Sequence, residues 1–177
     1  GVEEEHNFIG QKYGARLSNW PLKNTYLTFE YTQTNPVVYK HRVPSTTFES
    51  NKFNLGHYLR DNSVEYYANI GIKPLRGLKV ELAYLLAKHG NEYQYTDGGD
   101  AVLYPIMEST SWSNESYTLT MSYEFISESY LYFQYSFSDI QGFDLDGNTA
   151  QYYLDLYTPP LLQGKTQTLT FGFNFGF

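Results

Sequence analysis

The sequence predicts an all-β fold, a transmembrane antiparallel outer-membrane β-barrel, and three features support this prediction. Aromatic residues make up 19% of the 177 residues, yet the mean hydropathy is negative, at −0.49. Apolar and polar residues alternate in seven segments. Short and long connections between the segments also alternate. An outer-membrane barrel combines these features, because alternate residues face lipid, aromatic side chains ring both interfaces, and short periplasmic turns oppose long extracellular loops.

The seven segments show the period-two alternation of strands with two unlike faces. In chain order, their apolar residues are Tyr13, Ala15 and Leu17; Leu27, Phe29 and Tyr31; Val64, Tyr66, Ala68, Ile70 and Ile72; Leu78, Val80, Leu82, Tyr84 and Leu86; Tyr117, Leu119, Met121, Tyr123 and Phe125; Leu131, Phe133, Tyr135 and Phe137; and Leu169, Phe171, Phe173, Phe175 and Phe177. No segment shows a convincing helical period. We therefore predict seven strands and no helix.

The connections predict how the strands cross the membrane. Short turns lie near residues 20–24, 73–77 and 126–129, where Pro, Gly or Ser favours turn conformations. Long loops lie near residues 41–62, 91–111 and 139–164. We expect the short turns in the periplasm and the long loops outside the cell. A soluble β-sandwich is the alternative, although it does not require this alternation in length.

An odd number of strands predicts that these residues are only part of a barrel. If the last strand descends to the periplasm, the first one does too, and the chain then starts outside the cell. Single-chain bacterial barrels usually have an even strand number. We therefore expect residues 1–177 to be a single segment, the C-terminal seven or so strands of a larger barrel. An undetected eighth strand near residues 151–156 would remove this argument.

Charge and composition exclude several classes of function. The net charge is −7 and the pI is about 5.0, so no basic stripe exists to neutralise nucleic-acid phosphates. The absence of cysteine excludes a disulfide framework and Cys-ligated metals. No apolar run is long enough for a transmembrane helix. We expect no cofactor and no nucleic-acid partner.

Four stretches carry a resemblance to a known family: FEYTQTNPVVYKH (29–41), NLGHYLRDNS (54–63), KHG (88–90) and the closing YTPPLLQGK with the aromatic strand that follows. They resemble the capsule-assembly Wzi-type family of outer-membrane barrels. The chain departs from the family at Arg60-Asp61, where a Gly-Pro-like pair is expected. The resemblance implies a large, non-enzymatic barrel that takes part in the assembly or attachment of capsular polysaccharide. The sequence is also similar to relatives from Bacteroidetes-type bacteria, some of which are linked to gliding motility.

The first long loop and its borders concentrate residue types that suit sugar binding. Aromatic faces cover the apolar side of a sugar ring, and planar or charged donors bind hydroxyl and carboxylate groups. On this ground, the glycan-binding candidates are Tyr39, His41, Arg42, His57, Tyr58, Arg60 and Asp61. The alternative is a loop folded on itself, in which these residues bind the backbone and plug or rim the barrel.

The end of the chain resembles the C-terminal signal that barrel-assembly machinery recognises. The residues that carry this resemblance are Phe171, Phe173, Phe175 and Phe177. It implies that the last strand both faces lipid and directs membrane insertion.

Neither a metal site nor an enzyme is expected. No two of the four histidines have ligand spacing on one element. FDLDGN (143–148) has its glycine at the fourth position of the motif rather than the sixth, so we predict a turn and not a calcium loop. No Gly-x-Ser-x-Gly element or Ser-His-acid order is evident.

Two other functions remain open: a structural or interaction subunit of a larger machine for gliding motility or protein secretion, and a porin-like channel. The expected partners are outer-membrane lipid or lipopolysaccharide, surface polysaccharide and other outer-membrane proteins.

Overall fold

The computed structural model describes residues 9–40, 49–50, 53–54, 56–93 and 104–176. Within these ranges the strands are β1 (Gly10–Ser18), β2 (Thr25–Thr34), β3 (Glu49–Ser50), β4 (Phe53–Asn54), β5 (Ser63–Leu75), β6 (Leu78–Gly90), β7 (Thr110–Ile126), β8 (Ser129–Gly142) and β9 (Gly164–Asn174). Seven of them form one antiparallel meander in the order β1-β2-β5-β6-β7-β8-β9, and β3 pairs only with β4. The prediction of an all-β fold with seven main strands is therefore confirmed. The sheet is open and not closed into a barrel, with β1 and β9 at its edges.

A helix lies where the sequence predicted none. Helix α1 (Ala150–Tyr157) begins after the N-cap Thr149, whose hydroxyl accepts a hydrogen bond from the Tyr152 N–H, and a short 3-10 helix (Pro160–Leu162) follows it. The prediction of no helix was wrong, and so was the alternative of an eighth strand at residues 151–156. Two helical turns are too few for a hydrophobic period to be recognised. Among the described residues, no helix has both the length and the apolar character that crossing a membrane requires.

The pairing register gives the sheet two unlike faces. One cross-strand row joins Leu17, Leu27, Ile70, Leu82, Leu119, Tyr135 and Leu169. The neighbouring row, on the other side of the sheet, joins Arg16, Thr28, Asn69, Ala83, Thr118, Ser136 and Thr168. We call these sides the apolar face and the polar face. Alternation within each strand and in-register pairing between strands extend each face over the whole sheet.

The connections differ sharply in length. The short ones cover residues 19–24, 76–77 and 127–128, and the long ones cover residues 35–62, 91–109 and 143–163. Gly77 sits in a short turn at φ +82°, and a side chain there would meet the Glu124 carbonyl oxygen at 2.5 Å. FDLDGN forms the predicted turn, because the Leu145 N–H donates to the Asn148 carbonyl and the Asn148 N–H donates back to Leu145.

The buried core lies on the polar face, near the long connections. Its members are Leu59, Ala87, Trp112 and Ile140, and Leu85, Leu154 and Tyr157 pack against them. Helix α1 packs against β7 and β8 on this side. The apolar face is open by comparison: the exposed fraction is 72% for Phe171 and 62% for Tyr13.

Candidate functional site at the loop end of the polar face

Five polar side chains bring the three long connections together over the polar face. Lys40 and Asp61 come from the first connection, Glu92 from the second and Tyr157 from the third, while His89 lies near the end of β6. We call this group the loop-end cluster. Its members lie far apart in the sequence, so their proximity is a product of the meander.

Lys40 is the central residue of the loop-end cluster. Its Nζ lies 2.7 Å from Glu92 Oε2 and 3.4 Å from Asp61 Oδ2, and it also donates to the Tyr93 carbonyl oxygen. Asp61 is buried and accepts a hydrogen bond of 3.1 Å from the Val37 N–H. One ammonium group thus ties the first connection to the second.

His89 and Tyr157 extend the cluster to the third connection. His89 is buried, and its Nδ1 lies 2.8 Å from the Gly90 carbonyl oxygen. Because a carbonyl only accepts, Nδ1 carries a proton. The Tyr157 hydroxyl lies 3.2 Å from His89 Nε2 and donates to Glu92 Oε1 at 2.5 Å. The two rings are in contact, with centroids 4.4 Å apart.

The surroundings fix the charge states of the cluster. Burial alone would lower the pKa of Lys40, but the Asp61 and Glu92 carboxylates outweigh it and raise that pKa. Burial would raise the pKa of Glu92, yet the Lys40 ammonium lowers it. Burial, followed by the Glu92 charge, raises the pKa of the Tyr157 hydroxyl. The lysine and the glutamate are therefore charged at neutral pH, and the tyrosine is protonated.

Three members of the cluster are potential metal ligands. Ligand atoms of Asp61, His89 and Glu92 lie within 4.8 Å of one another. However, the Lys40 ammonium stands within 3.4 Å of both carboxylates. The cation that balances these carboxylates is thus the chain's own lysine. The geometry is that of an ion-pair network that links the loops.

Further hydrogen bonds join the same connections. Asn62 is buried; its Nδ2 donates to the Asn91 carbonyl at 2.8 Å and its Oδ1 accepts from the Met107 N–H at 2.9 Å. The Trp112 Nε1 donates to the Thr158 hydroxyl at 2.8 Å, beyond the end of α1. Hydrogen bonds thus join each long connection to another connection or to the sheet.

The glycan-binding candidates among the described residues make two sets of side-chain contacts. Arg60 and Asp61 belong with the loop-end cluster, where the Arg60 guanidinium lies 5.7 Å from the Tyr157 ring centroid. His57 contacts the ring of Tyr58, with centroids 4.7 Å apart, and the Tyr58 hydroxyl donates to Glu65.

The remaining candidates divide between the described and the undescribed parts of the chain. The Tyr39 hydroxyl accepts from the His57 N–H at 3.0 Å, and the Tyr39 ring lies over Gly56. His41 and Arg42 lie outside the described residues, as does Phe177 of the predicted insertion signal.

Sequence reasoning missed Lys40, Glu92 and Tyr157 as site residues. Each lies on a different long connection, and no spacing in the sequence joins them. His89 stands out in the sequence only as part of KHG and as one of the four histidines. The sole signal was a shortage of acidic partners near the basic residues of the first connection, and that shortage does not specify which distant carboxylate supplies the pairing.

Comparisons with protein families, curated proteins and solved structures gave no match.

Proposed function

We propose that the sheet is part of the wall of a transmembrane β-barrel in a bacterial outer membrane, with the apolar face against lipid and the polar face toward the lumen. One observation carries the proposal: an apolar surface continues across all seven strands and is left open, while the loops and α1 pack on the opposite side. A protein in water buries its apolar face and exposes its polar one. The reverse arrangement suits lipid.

Aromatic residues lie at both ends of the apolar face, in addition to those along β8. At the loop end, Tyr31 and Tyr66 have ring centroids 5.0 Å apart, and Tyr84 and Tyr117 are also 5.0 Å apart. We call these four residues the tyrosine belt. The pairs Tyr31–Tyr66 and Tyr84–Tyr117 are offset by two residues in register, which suits strands that are tilted in a membrane. Tyrosine is favoured at this depth because its ring is apolar and its hydroxyl reaches water.

A second aromatic group closes the apolar band at the short-turn end. Phe125, Phe173 and Phe175 have ring centroids between 5.0 and 6.2 Å apart. From Tyr117 to Phe125, at about 3.3 Å per residue and a tilt of about 40°, the band is roughly 20 Å tall. This height is comparable with the apolar band of about 25 Å in known outer-membrane barrels.

The polar face has the character of a lumen wall. Lys12 pairs with Glu30 at 2.7 Å, and Lys79 pairs with Glu81 at the same distance. Toward β9 the face carries neutral hydroxyl groups, such as the Ser138–Thr166 pair at 2.7 Å. The loop-end cluster holds the long connections over this face. We therefore propose a non-enzymatic wall whose lumen is narrowed by its loops, which favours an anchoring or assembly role over a diffusive porin.

The two edges of the sheet imply that further strands pair with it. β1 and β9 have no strand partner on their outer sides among the described residues, and lipid cannot satisfy the backbone groups of an open edge. The two edge strands run in the same direction, so an odd number of additional strands would close the barrel with antiparallel pairing throughout. We propose that these seven strands are part of a larger barrel. An intact mass of the native polypeptide well above 20.5 kDa supports this, and a mass near 20.5 kDa contradicts it.

Single cysteines test the proposed orientation, because the chain has no cysteine of its own. Leu161→Cys lies in the third long connection, where Leu161 is 87% exposed, and Ser127→Cys lies in a short turn. In intact cells, a membrane-impermeant maleimide should label Cys at 161 and not Cys at 127. After the envelope is permeabilised, both should react. Labelling of both positions in intact cells, or recovery of the chain in a soluble fraction, contradicts the proposal.

Binding of surface polysaccharide is the second candidate function. Tyr58 favours it, because the residue is 62% exposed beside His57 while its hydroxyl donates to Glu65. Exposed, rigid aromatic rings beside polar groups suit sugar faces. We expect Tyr58→Ala to weaken binding to polygalacturonate by about tenfold, measured by thermophoresis, and Tyr152→Ala on the exposed side of α1 to leave it unchanged. Equal binding by both variants contradicts this function.

A further inference from the structure

A polar pocket interrupts the apolar face just beyond the tyrosine belt. Its volume is about 480 Å³, and Lys88, Ser113, Glu115, Asp139 and Gln141 line it beside Tyr84. By strand parity these five polar residues lie on the apolar side of β6, β7 and β8. Because this side faces lipid in the proposed function, the pocket lies at the depth of the outer-leaflet headgroups. We call it the headgroup pocket.

Two carboxylates stand opposite each other in this pocket. Glu115 pairs directly with Asp139 across β7 and β8. Like charges directly opposite in a sheet are destabilising, so this arrangement needs compensating groups. Three come from the chain itself. The Tyr84 and Tyr117 hydroxyls both donate to Glu115 Oε1, at 3.2 and 2.8 Å. Lys165 Nζ lies 3.9 Å from Asp139 Oδ2.

The compensation is incomplete on the pocket side. Among the described residues, no donor binds Glu115 Oε2, and neither carboxylate forms an ion pair with Lys88. The pocket therefore offers carboxylate acceptors, the Lys88 ammonium, the Ser113 hydroxyl and the Gln141 amide. A ligand rich in hydroxyl groups can satisfy all of them at once, whereas a bare phosphate would be repelled by the two carboxylates.

We propose that the headgroup pocket binds the sugar headgroup of an outer-leaflet glycolipid. The inference rests on the proposed function, since only a lipid-facing sheet brings such a headgroup to this pocket. The sugar hydroxyls would donate to Glu115 and Asp139 and accept from Lys88. The acyl chains would continue down the apolar face, past Leu86 and Leu119. The pocket would thus hold one class of lipid beside the barrel wall.

Nanodiscs with a defined lipid mixture test this inference. The protein is placed in phosphatidylcholine discs that contain digalactosyl diacylglycerol as a minor component, and native mass spectrometry measures which lipid stays bound. The wild-type protein should retain the galactolipid in preference to phosphatidylcholine. In the double variant Glu115→Gln/Asp139→Asn, the ratio of retained galactolipid to phosphatidylcholine should fall about tenfold. Lys88→Met should lower it too, without removing either carboxylate.

Glu124→Gln is the matched control, because Glu124 lies on β7 like Glu115 but on the polar face. It should leave the ratio unchanged. Equal ratios for wild type and for the pocket variants overturn the glycolipid inference while the proposed barrel wall still stands. Failure of the wild-type protein itself to enter the discs overturns the proposed function instead.

Discussion

Lys40 is the side chain on which the packing of the long connections depends most. Lys40→Met leaves the Asp61 and Glu92 carboxylates without their shared cation, and removing one partner of a buried pair costs more than the pair contributes. We expect the free energy of unfolding in detergent to fall by about 1–3 kcal/mol. Asp61 is the more buried of the two carboxylates, with its side chain 7% exposed against 35% for Glu92.

Lys12→Met is the control for that measurement. Lys12 also forms an ion pair of 2.7 Å, with Glu30, but its side chain is 56% exposed against 28% for Lys40. Exposed pairs contribute at most about 1 kcal/mol. Equal losses in the two variants would show that the burial of the cluster has no energetic weight.

Glu92 makes the loop packing depend on pH. Burial alone would raise its pKa, but Lys40 lowers it below the ordinary 4.5. A carboxyl group whose folded-state pKa is lowered stabilises the fold above its unfolded pKa, and this contribution is lost as the pH falls through the folded pKa. The stability difference between wild type and Glu92→Gln should therefore be constant above pH 4.5 and shrink below it. A difference that is flat down to about pH 3 contradicts the ion pair.

Gly71 is required by a close aromatic contact on the polar face. It pairs with Tyr26 across β2 and β5, and a side chain at Gly71 would lie 2.2 Å from Tyr26 Cζ. Tyr26 donates to Glu81, and the Arg16 guanidinium lies 4.5 Å from its ring centroid. Gly71→Ala should therefore displace the ring and lower the free energy of unfolding by about 1–3 kcal/mol.

A double-mutant cycle checks the cause of that loss. In the Tyr26→Ala background the ring is absent, so Gly71→Ala should cost less than about 0.5 kcal/mol. Gly10→Ala, whose added carbon would meet nothing closer than 3.8 Å, should be nearly neutral in either background. An unchanged cost of Gly71→Ala without Tyr26 would contradict the ring contact.

Among the elements, α1 depends on a close approach to β8. A side chain at Gly142 would lie 2.1 Å from the Ala150 carbonyl oxygen, so Gly142→Ala should push the start of the helix off the sheet. Trp112 reports this, because it is buried in the core and bonded to Thr158. With Trp20→Phe as background, the Trp112 emission should shift to the red and its quenching by acrylamide should increase. An unchanged spectrum would show that the helix tolerates the added carbon.

The strands were predictable from sequence, and α1 and the cluster were not. The apolar–polar alternation of a strand such as β7 depends only on residues close together in the sequence. Tyr117, Leu119 and Met121 therefore identify the apolar face without any long-range contact. α1 has only two turns, and its stability comes from Leu154 and Tyr157 packing on the sheet. The loop-end cluster depends on contacts between Lys40 and residues more than fifty positions away, and no local pattern reveals such a contact.

At the scale of the whole molecule, the packing is inverted relative to a protein in water. The core and the linked loops cover the loop end of the polar face. The apolar face has tyrosines at its loop end, a mainly aliphatic central row and phenylalanines at its short-turn end. A second sheet packed on the apolar face, as in a soluble sandwich, would also cover it. The two arrangements differ in what surrounds Leu119 and Met121: lipid in one, and protein in the other.

The most direct test of the membrane-wall account is therefore the lipid accessibility of alternate residues in β7. Single cysteines at positions 118, 119, 120 and 121 carry a spin label in reconstituted bilayers, and relaxation by oxygen and by a water-soluble nickel complex is measured for each. If the apolar face contacts lipid, positions 119 and 121 should show high oxygen accessibility and low nickel accessibility. Positions 118 and 120 should not show this combination. Low oxygen accessibility at 119 and 121, as in a protein core, would contradict this lipid contact.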